Sequence, residues 1–314
     1  MALTYSELNT VSKQYYDDEI TQQIYEASPF WMRMKKKNKV SYSGGIEIQF
    51  PTRYRKLNTA KAIGPREQII FTGRDTRTAA VIPWTYYTAY TTLEWDERIK
   101  NAWKGKIIDL ARDKARELKE ELADQLATDV VTDTSQGTNA LVPLDDIIDS
   151  ATTYGGIAVS DSASWLATED SSTTTMTLYG SGSLGYMFNQ TTFGQDHPTC
   201  YFTTRDLLSK LESLLQPQIR YESDEALDKK FPNVIYQGGA CFGDVYMPAN
   251  AFYGVDENAF EVAVKSGEDR TMEWFSLEQN GRPNTLAKAS FWVGNIKCNM
   301  RRTSFKYTAL DYTK

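Results

Sequence analysis

The residues best suited to chemistry are one histidine, three cysteines, a glycine cluster at 180–185 and several adjacent carboxylates. His197 forms an H-x-x-C pair with Cys200, which is too few ligands for a zinc site. Asp196 is its immediate neighbour, poor geometry for a catalytic relay, and no G-x-S-x-G elbow occurs. The expected role of Asp196-His197-Pro198 is a turn before a strand, with Pro198 fixing φ. Gly180-Ser181-Gly182-Ser183-Leu184-Gly185 matches GxGxxG. That pattern cradles a pyrophosphate only when it follows an apolar strand and opens directly into a helix. The preceding run, 171–179, is rich in Ser and Thr instead, and Asp206, near the place of a ribose-binding acid, opens a separate helix. The cluster reads as a glycine-softened helix start. Asp17-Asp18, Glu120-Glu121 and Asp145-Asp146 are pairs of a kind common on solvated faces, and nothing marks one as a general acid and base. No catalytic, cofactor or metal site is expected.

The totals bound the alternatives. The chain has 314 residues, 41% apolar and 24% charged, the balance of a soluble globular protein with one large domain or two ordinary ones. Thirty-five Lys and Arg face 41 Asp and Glu. Tight nucleic-acid binding needs the opposite balance. Cys200, Cys241 and Cys298 are few and far apart, so a reducing compartment is expected. The first seven residues lack a basic region followed by an apolar run, and no apolar stretch approaches the ~20 residues of a membrane span. The expectation is a cytoplasmic protein without membrane contact. Nineteen tyrosines suit extensive interfaces, because tyrosine gives contact area at low rotamer cost.

The elements follow from pattern. Ile20, Ile24 and Ala27 keep helical spacing. Ser28-Pro29 then reads as an N-cap and first helical residue. The helix they start carries Phe30, Trp31 and Met34 and ends on Lys35-Lys36-Lys37, which complements its dipole. Ile46, Ile48 and Phe50 alternate with polar residues as one strand. A second strand is expected over 78–92, with Ile82, Trp84, Tyr86 and Tyr90 on one face. The turn-rich residues between them make one long hairpin, which must lie on something. Over 96–131, Ile99, Trp103, Ile107, Leu110, Leu118, Leu122, Leu126 and Val130 recur at threes and fours, predicting one amphipathic helix with Gly105 as its only disturbance. Shorter segments follow. The run 170–175 reads as a loop, 199–203 and 233–236 as strands, 205–215 as a helix, and 289–310 as a strand pair or bent strand. The fold class is α+β.

Charge singles out the hairpin. Within residues 51–80, Arg53, Arg55, Lys56, Lys61, Arg66, Arg74 and Arg77 face only Glu67 and Asp75. The segment carries +5 in a chain of net −6, so the remainder carries −11.

The order of elements resembles the Hong Kong 97 capsid fold of tailed phages and herpesviruses. Particular stretches are similar to those of phage major capsid proteins: Lys35-Lys36-Lys37-Asn38-Lys39-Val40-Ser41-Tyr42-Ser43-Gly44-Gly45, Asp196-His197-Pro198 with Thr203-Thr204-Arg205-Asp206, Leu215-Gln216-Pro217-Gln218-Ile219-Arg220-Tyr221, and Gly294-Asn295-Ile296-Lys297-Cys298-Asn299-Met300-Arg301-Arg302. The resemblance implies an N-terminal arm over 1–40, an E-loop hairpin over 41–94, a P-domain from 95–133 and 288–314, and an A-domain over 134–287. It implies a shell subunit assembling with itself into hexamers and pentamers. Other implied partners are a portal, a separate scaffolding protein, a decoration protein as a further candidate, and packaged DNA by proximity rather than sequence. The location implied is the virion capsid, assembled in the host cytoplasm. In this fold the E-loop crosses an adjacent subunit, so the basic hairpin is expected to meet an acidic surface such as Glu117, Glu120, Glu121 and Asp124. The alternatives are an encapsulin-like shell, and a nucleotide-binding enzyme built on the 180–185 loop.

Overall fold

The computed structural model describes residues 28–100, 110–131, 139–215, 233–267, 270–277 and 282–314. These fall into two units, one holding the described residues of 88–122 and 271–290, the other those of 27–87, 123–270 and 291–314. The segment with Ile20, Ile24 and Ala27, the junction with Trp103 and Gly105, and residues 216–221 lie outside the described residues.

The larger unit opens on helix α1, Pro29–Lys37. Its start follows the expected local chemistry: the Ser28 hydroxyl accepts from the Trp31 N–H at 3.2 Å. The same hydroxyl donates to the buried Asp244 carboxylate at 2.5 Å, so an acid sits at the positive end of the helix dipole. Phe30, Trp31 and Met34 are buried, and Arg33 forms a buried pair with Glu257.

Strand β1 is Lys39–Tyr42, and it lies parallel to β10, Phe260–Lys265. That strand pairs antiparallel with the end of the long β13, Arg282–Cys298. A second, six-stranded sheet has the order β5-β14-β9-β6-β8-β7, formed by Thr168–Asp170, Phe305–Tyr307, Phe252–Val255, Cys200–Thr203, Gly239–Gly243 and Asn233–Tyr236. Its apolar face packs with Leu207, Leu208 and Leu211 of the helix Arg205–Leu215 and with Leu184 and Met187 of the helix Leu184–Thr191. Cys200, Cys241 and Cys298 are buried thiols that form no disulfide among the described residues.

The hairpin pairs β2, Glu47–Arg53, with β3, Arg77–Pro83. Ile48, Phe50, Ala80 and Ile82 form its buried face. Ile46 does not join them. It is 94% exposed because it precedes the strand, after Gly44 and Gly45, both at positive φ.

The single strand expected over 78–92 is two. Pro83 has no N–H to extend the ladder, Trp84 interrupts it, and β4, Thr85–Leu93, pairs with β13 instead. The new partner turns the other face inward. Thr85 is buried, while Tyr86 and Tyr90 are exposed, against the expectation that they continue the face of Ile82.

In the smaller unit, Lys114 donates to the Thr92 carbonyl at 3.0 Å and to Glu97 at 2.6 Å. Helix α2 is Trp95–Lys100, and the long helix α3 is described over Leu110–Val131. Leu118, Leu122, Leu126 and Val130 are buried as the periodicity requires. Ile99 departs from that stripe: it is half exposed one turn after Trp95, which is also half exposed. Strand β12, Phe275–Leu277, pairs with the first part of β13. No helix among the described residues is long and apolar enough to cross a membrane.

Candidate functional site

The residues first suspected of chemistry are placed in structural roles. Phe193 and Asp196 bridge across a turn. His197 follows it, with Nδ1 3.0 Å from the Pro198 carbonyl and its ring beside Phe188. Gly180 and Gly182 have positive φ in the turn before Ser183, whose hydroxyl caps the helix by accepting from Tyr186 N–H. A Cβ on Gly182 would lie 2.7 Å from the Thr173 hydroxyl, which itself donates to Asp170. At Gly182 the space beside the backbone is thus taken by the chain's own Thr173, while a Cβ on Gly180 would meet open space. Asp206 lies in the first turn of its own helix.

The basic hairpin is where surface and charge coincide. Its strands end on Arg53 and Arg77, which are register partners. Tyr54 still pairs with Thr76, its N–H donating to the carbonyl at 3.2 Å. Beyond that rung, every residue from 56 to 75 is exposed. The exposed set includes Ile70 and Phe71 at 77% and 91%, far from what a chain burying its own apolar groups would leave in water. One internal turn orders the tip: Glu67 accepts from Lys61 at 2.5 Å and from the Gly64 N–H at 3.1 Å. Those bonds, with Lys61 first, hold the Glu67 carboxyl below its ordinary value.

The inner face of the hairpin rests on the segment around Gly155. Val81 N–H donates to the Gly155 carbonyl at 3.0 Å. A Cβ on Gly155, which has φ +62°, would come within 2.8 Å of the Ala80 Cβ. Only glycine allows that approach with that backbone. Next to it, the Arg55 guanidinium donates to the Asp161 carbonyl and pairs with its carboxylate at 3.4 Å. The Ser162 hydroxyl donates to the Tyr54 carbonyl.

A cavity of about 770 Å³ opens at this base. Arg53, Lys56, Arg77 and Arg302 line it, over the apolar groups of Trp165, Phe193 and Met300. Among the described residues no carboxylate lines it. Arg302 lies 4.5 Å over the Phe193 ring. Arg301, also on the wall, is turned inward and spent on backbone carbonyls.

The structure therefore brings Arg53, Arg55, Lys56 and Arg77 together. Arg66 and Arg74 stand on the exposed loop beyond, as does Lys61. Of the acids named with them, Glu120 pairs with Arg116 at 2.9 Å, and Asp124 accepts from the Tyr246 hydroxyl. Glu117 and Glu121 are exposed. Sequence reasoning missed Arg302, Phe193 and Trp165. The adjacent pair Arg301-Arg302 was visible, but not which of the two faces outward.

No protein-family model matches the chain, and no curated protein matches it. Solved structures do. The subunit in the cyanophage A-1(L) capsid asymmetric unit aligns with TM-score 0.70 at 13% identity, covering 98% of this chain and 99% of that one. The capsid subunit of a native GTA particle aligns with TM-score 0.64 at 8% identity, over 98% of each. The SrpI encapsulin of Synechococcus elongatus PCC 7942 aligns with TM-score 0.57 at 8% identity, over 100% of this chain and 98% of that one. The chain has the mixed α+β fold of these shell proteins from end to end, as its order of elements implied.

Proposed function

We propose that this chain is the major capsid protein of a tailed phage, a structural subunit that assembles with itself into a closed, icosahedral-type shell around DNA. The observation that carries the reading is the whole-chain fold likeness to a phage capsid subunit, with almost nothing left over on either side. The exposed hairpin supports it. Residues 56–75 present isoleucines, a phenylalanine and cations to solvent in a lone subunit, which suits a surface completed by neighbours.

On this reading the arm is 1–40 and the E-loop 41–94. Residues 95–133 and 288–314 form the P-domain, and 134–287 the A-domain. Hexamers and pentamers are the assembling units, and the E-loop cations meet acids of an adjacent subunit, with Glu117, Glu120, Glu121 and Asp124 as the first candidates. A portal and a separate scaffolding protein would complete the head, a decoration protein could bind outside it, and assembly would take place in the host cytoplasm. The DNA would be held by confinement, in keeping with a net charge of −6.

A second reading, an encapsulin-like compartment, is favoured by the SrpI likeness at a lower TM-score. Electron microscopy of the purified protein tests both. Closed shells that retain nuclease-protected DNA when made with the packaging machinery support the capsid reading. Shells that enclose a protein cargo support the compartment. Monomers at all concentrations, with or without scaffold, would overturn both.

A further inference from the structure

The cavity at the hairpin base is an electrostatic anomaly inside the chain. Arg53 and Arg77 face each other in register, and like charges directly opposed destabilise a strand pair. Lys56 and Arg302 add two more cations to the same walls. Among the described residues no carboxylate pairs with any of these four. A concave site with four uncompensated cations and an apolar floor fits a ligand that carries several carboxylates beside apolar groups.

We propose that the cavity receives the acidic N-terminal segment Tyr15-Tyr16-Asp17-Asp18-Glu19-Ile20 of a second copy of this chain. The assignment rests on the shell reading and changes its expected partner. The long helix is a poor acid donor. Its Glu117, Glu120, Glu121 and Asp124 are interleaved with Arg112, Lys114, Arg116 and Lys119, and Glu120, Glu121 and Asp124 already have partners in their own chain.

The cation-free stretch 120–204 is no better. Asp145, Asp149 and Glu169 surround Lys306. Asp161 holds Arg55, Asp170 is bound by Ser172 and Thr173, and Asp129 is bound by Tyr87 and Gln125.

Asp17-Asp18-Glu19 is the only run of three consecutive carboxylates in the chain, and no Lys or Arg occurs from 14 to 32. Two tyrosines and an isoleucine flank it, matching the exposed apolar groups of Phe193 and Met300. Nucleic acid matches less well. Phosphate contacts need no apolar floor, and Trp165 is 4% exposed, too covered to stack on a base.

The test is zero-length carbodiimide cross-linking of assembled particles, which joins the Lys56 amine to a carboxylate in contact. Particles are made from an equal mixture of light and heavy-isotope subunits and read by mass spectrometry. The expected product joins the Lys56 peptide to the peptide of Asp17, Asp18 and Glu19 in mixed-isotope pairs. Its yield should fall at least tenfold in the Asp17→Asn, Asp18→Asn, Glu19→Gln variant. Links from Lys56 to other carboxylates, links only within one isotope, or no link overturn the assignment while leaving the shell reading intact. A Lys56 shielded from amine acetylation only in DNA-filled particles makes this a phosphate site and also overturns it. A protein that forms no shells removes both readings.

Discussion

Arg301 donates its Nε hydrogen to the carbonyl of Ile147 at 2.6 Å. Its other nitrogens reach the carbonyls of Asp149 at 2.9 Å, Asp146 at 3.2 Å and Thr152 at 3.3 Å. Arg301 is 1% exposed, and its guanidinium lies over the Tyr154 ring. One side chain thus closes the turn that follows the short helix Leu144–Ile147. Arg301→Met keeps the apolar volume and strands these acceptors. The bond to Ile147 is fully buried and the other three are partly buried. A buried acceptor left without a donor costs roughly 1–3 kcal/mol and the part-buried ones less, so a loss of about 2–4 kcal/mol in subunit stability is expected by urea unfolding. A loss within error would show that water replaces the guanidinium.

Gly254 gives a second, steric prediction. It faces Phe305 in register across β9 and β14, and a Cβ there would overlap the Phe305 ring. The ring is fully buried and stacks on Phe252, so it has nowhere to move. Gly254→Ala should cost about 1–3 kcal/mol by overpacking. Gly254→Ala with Phe305→Leu should recover part of that loss. A single variant as stable as the parent would mean that the two strands can separate at no cost.

Acid sensitivity should trace to Asp149. Burial pushes its carboxyl up, but the Ala151 N–H, the Lys306 ammonium and the Thr152 N–H outweigh that and hold it below its ordinary 3.8. A carboxyl depressed by folding stabilises above its unfolded pKa, and that stability is lost as pH falls through the folded value. Asp149→Asn should therefore cost most near neutral pH, roughly 1.5–3 kcal/mol for hydrogen bonds to a charged group, and the gap from the parent should close below pH 3.8. Lys306 has the mirror behaviour. Burial lowers it, but Asp145 and Asp149 outweigh that and raise it above 10.5, so its share is present below that value and lost at higher pH. Melting curves from pH 7 to pH 3 check the acid limb. A gap that stays constant over that range would assign the effect of Asp149 to packing.

What was legible in the sequence was local. Ser28-Pro29 announced α1 because a cap and a fixed φ act within one turn, and the helix Arg205–Leu215 appeared with its expected bounds. The strand switch at Trp84 was not legible. Alternation says which residues share a face, but not which partner the strand will choose, so the pattern alone puts Tyr86 and Tyr90 on the wrong side. The charge excess of the hairpin was legible as a sum. The cavity was not, because Trp165, Phe193 and Arg302 reach it from three distant segments. Arg301 and Arg302 are neighbours in a single 3₁₀ turn, Arg301 buried and Arg302 half-buried, and no periodicity separates them.

The opposed arginines lead to a prediction with two signs. In the lone subunit, Arg53 and Arg77 repel across the last register pair of β2 and β3. Such a pair costs roughly 0.2–1 kcal/mol. Arg77→Thr removes the repulsion and places a good strand former at that position, so the isolated subunit should unfold at slightly higher urea. Arg55 is unsuited to this test, because it already pairs with Asp161 in its own chain. In the shell, the same change removes a cation that the anionic neighbour meets. The concentration needed for assembly should rise several-fold, since each 1.4 kcal/mol is tenfold in affinity, and it should depend less on salt than in the parent, where exposed charge contacts are screened. Sedimentation at low and moderate salt measures the second effect and urea titration the first. If Arg77→Thr weakens both the subunit and the shell, the arginine is a structural part of the hairpin. If it strengthens both, the cavity meets no anion in the assembly. Only opposite signs fit a surface whose cations are held in tension until a second subunit neutralises them.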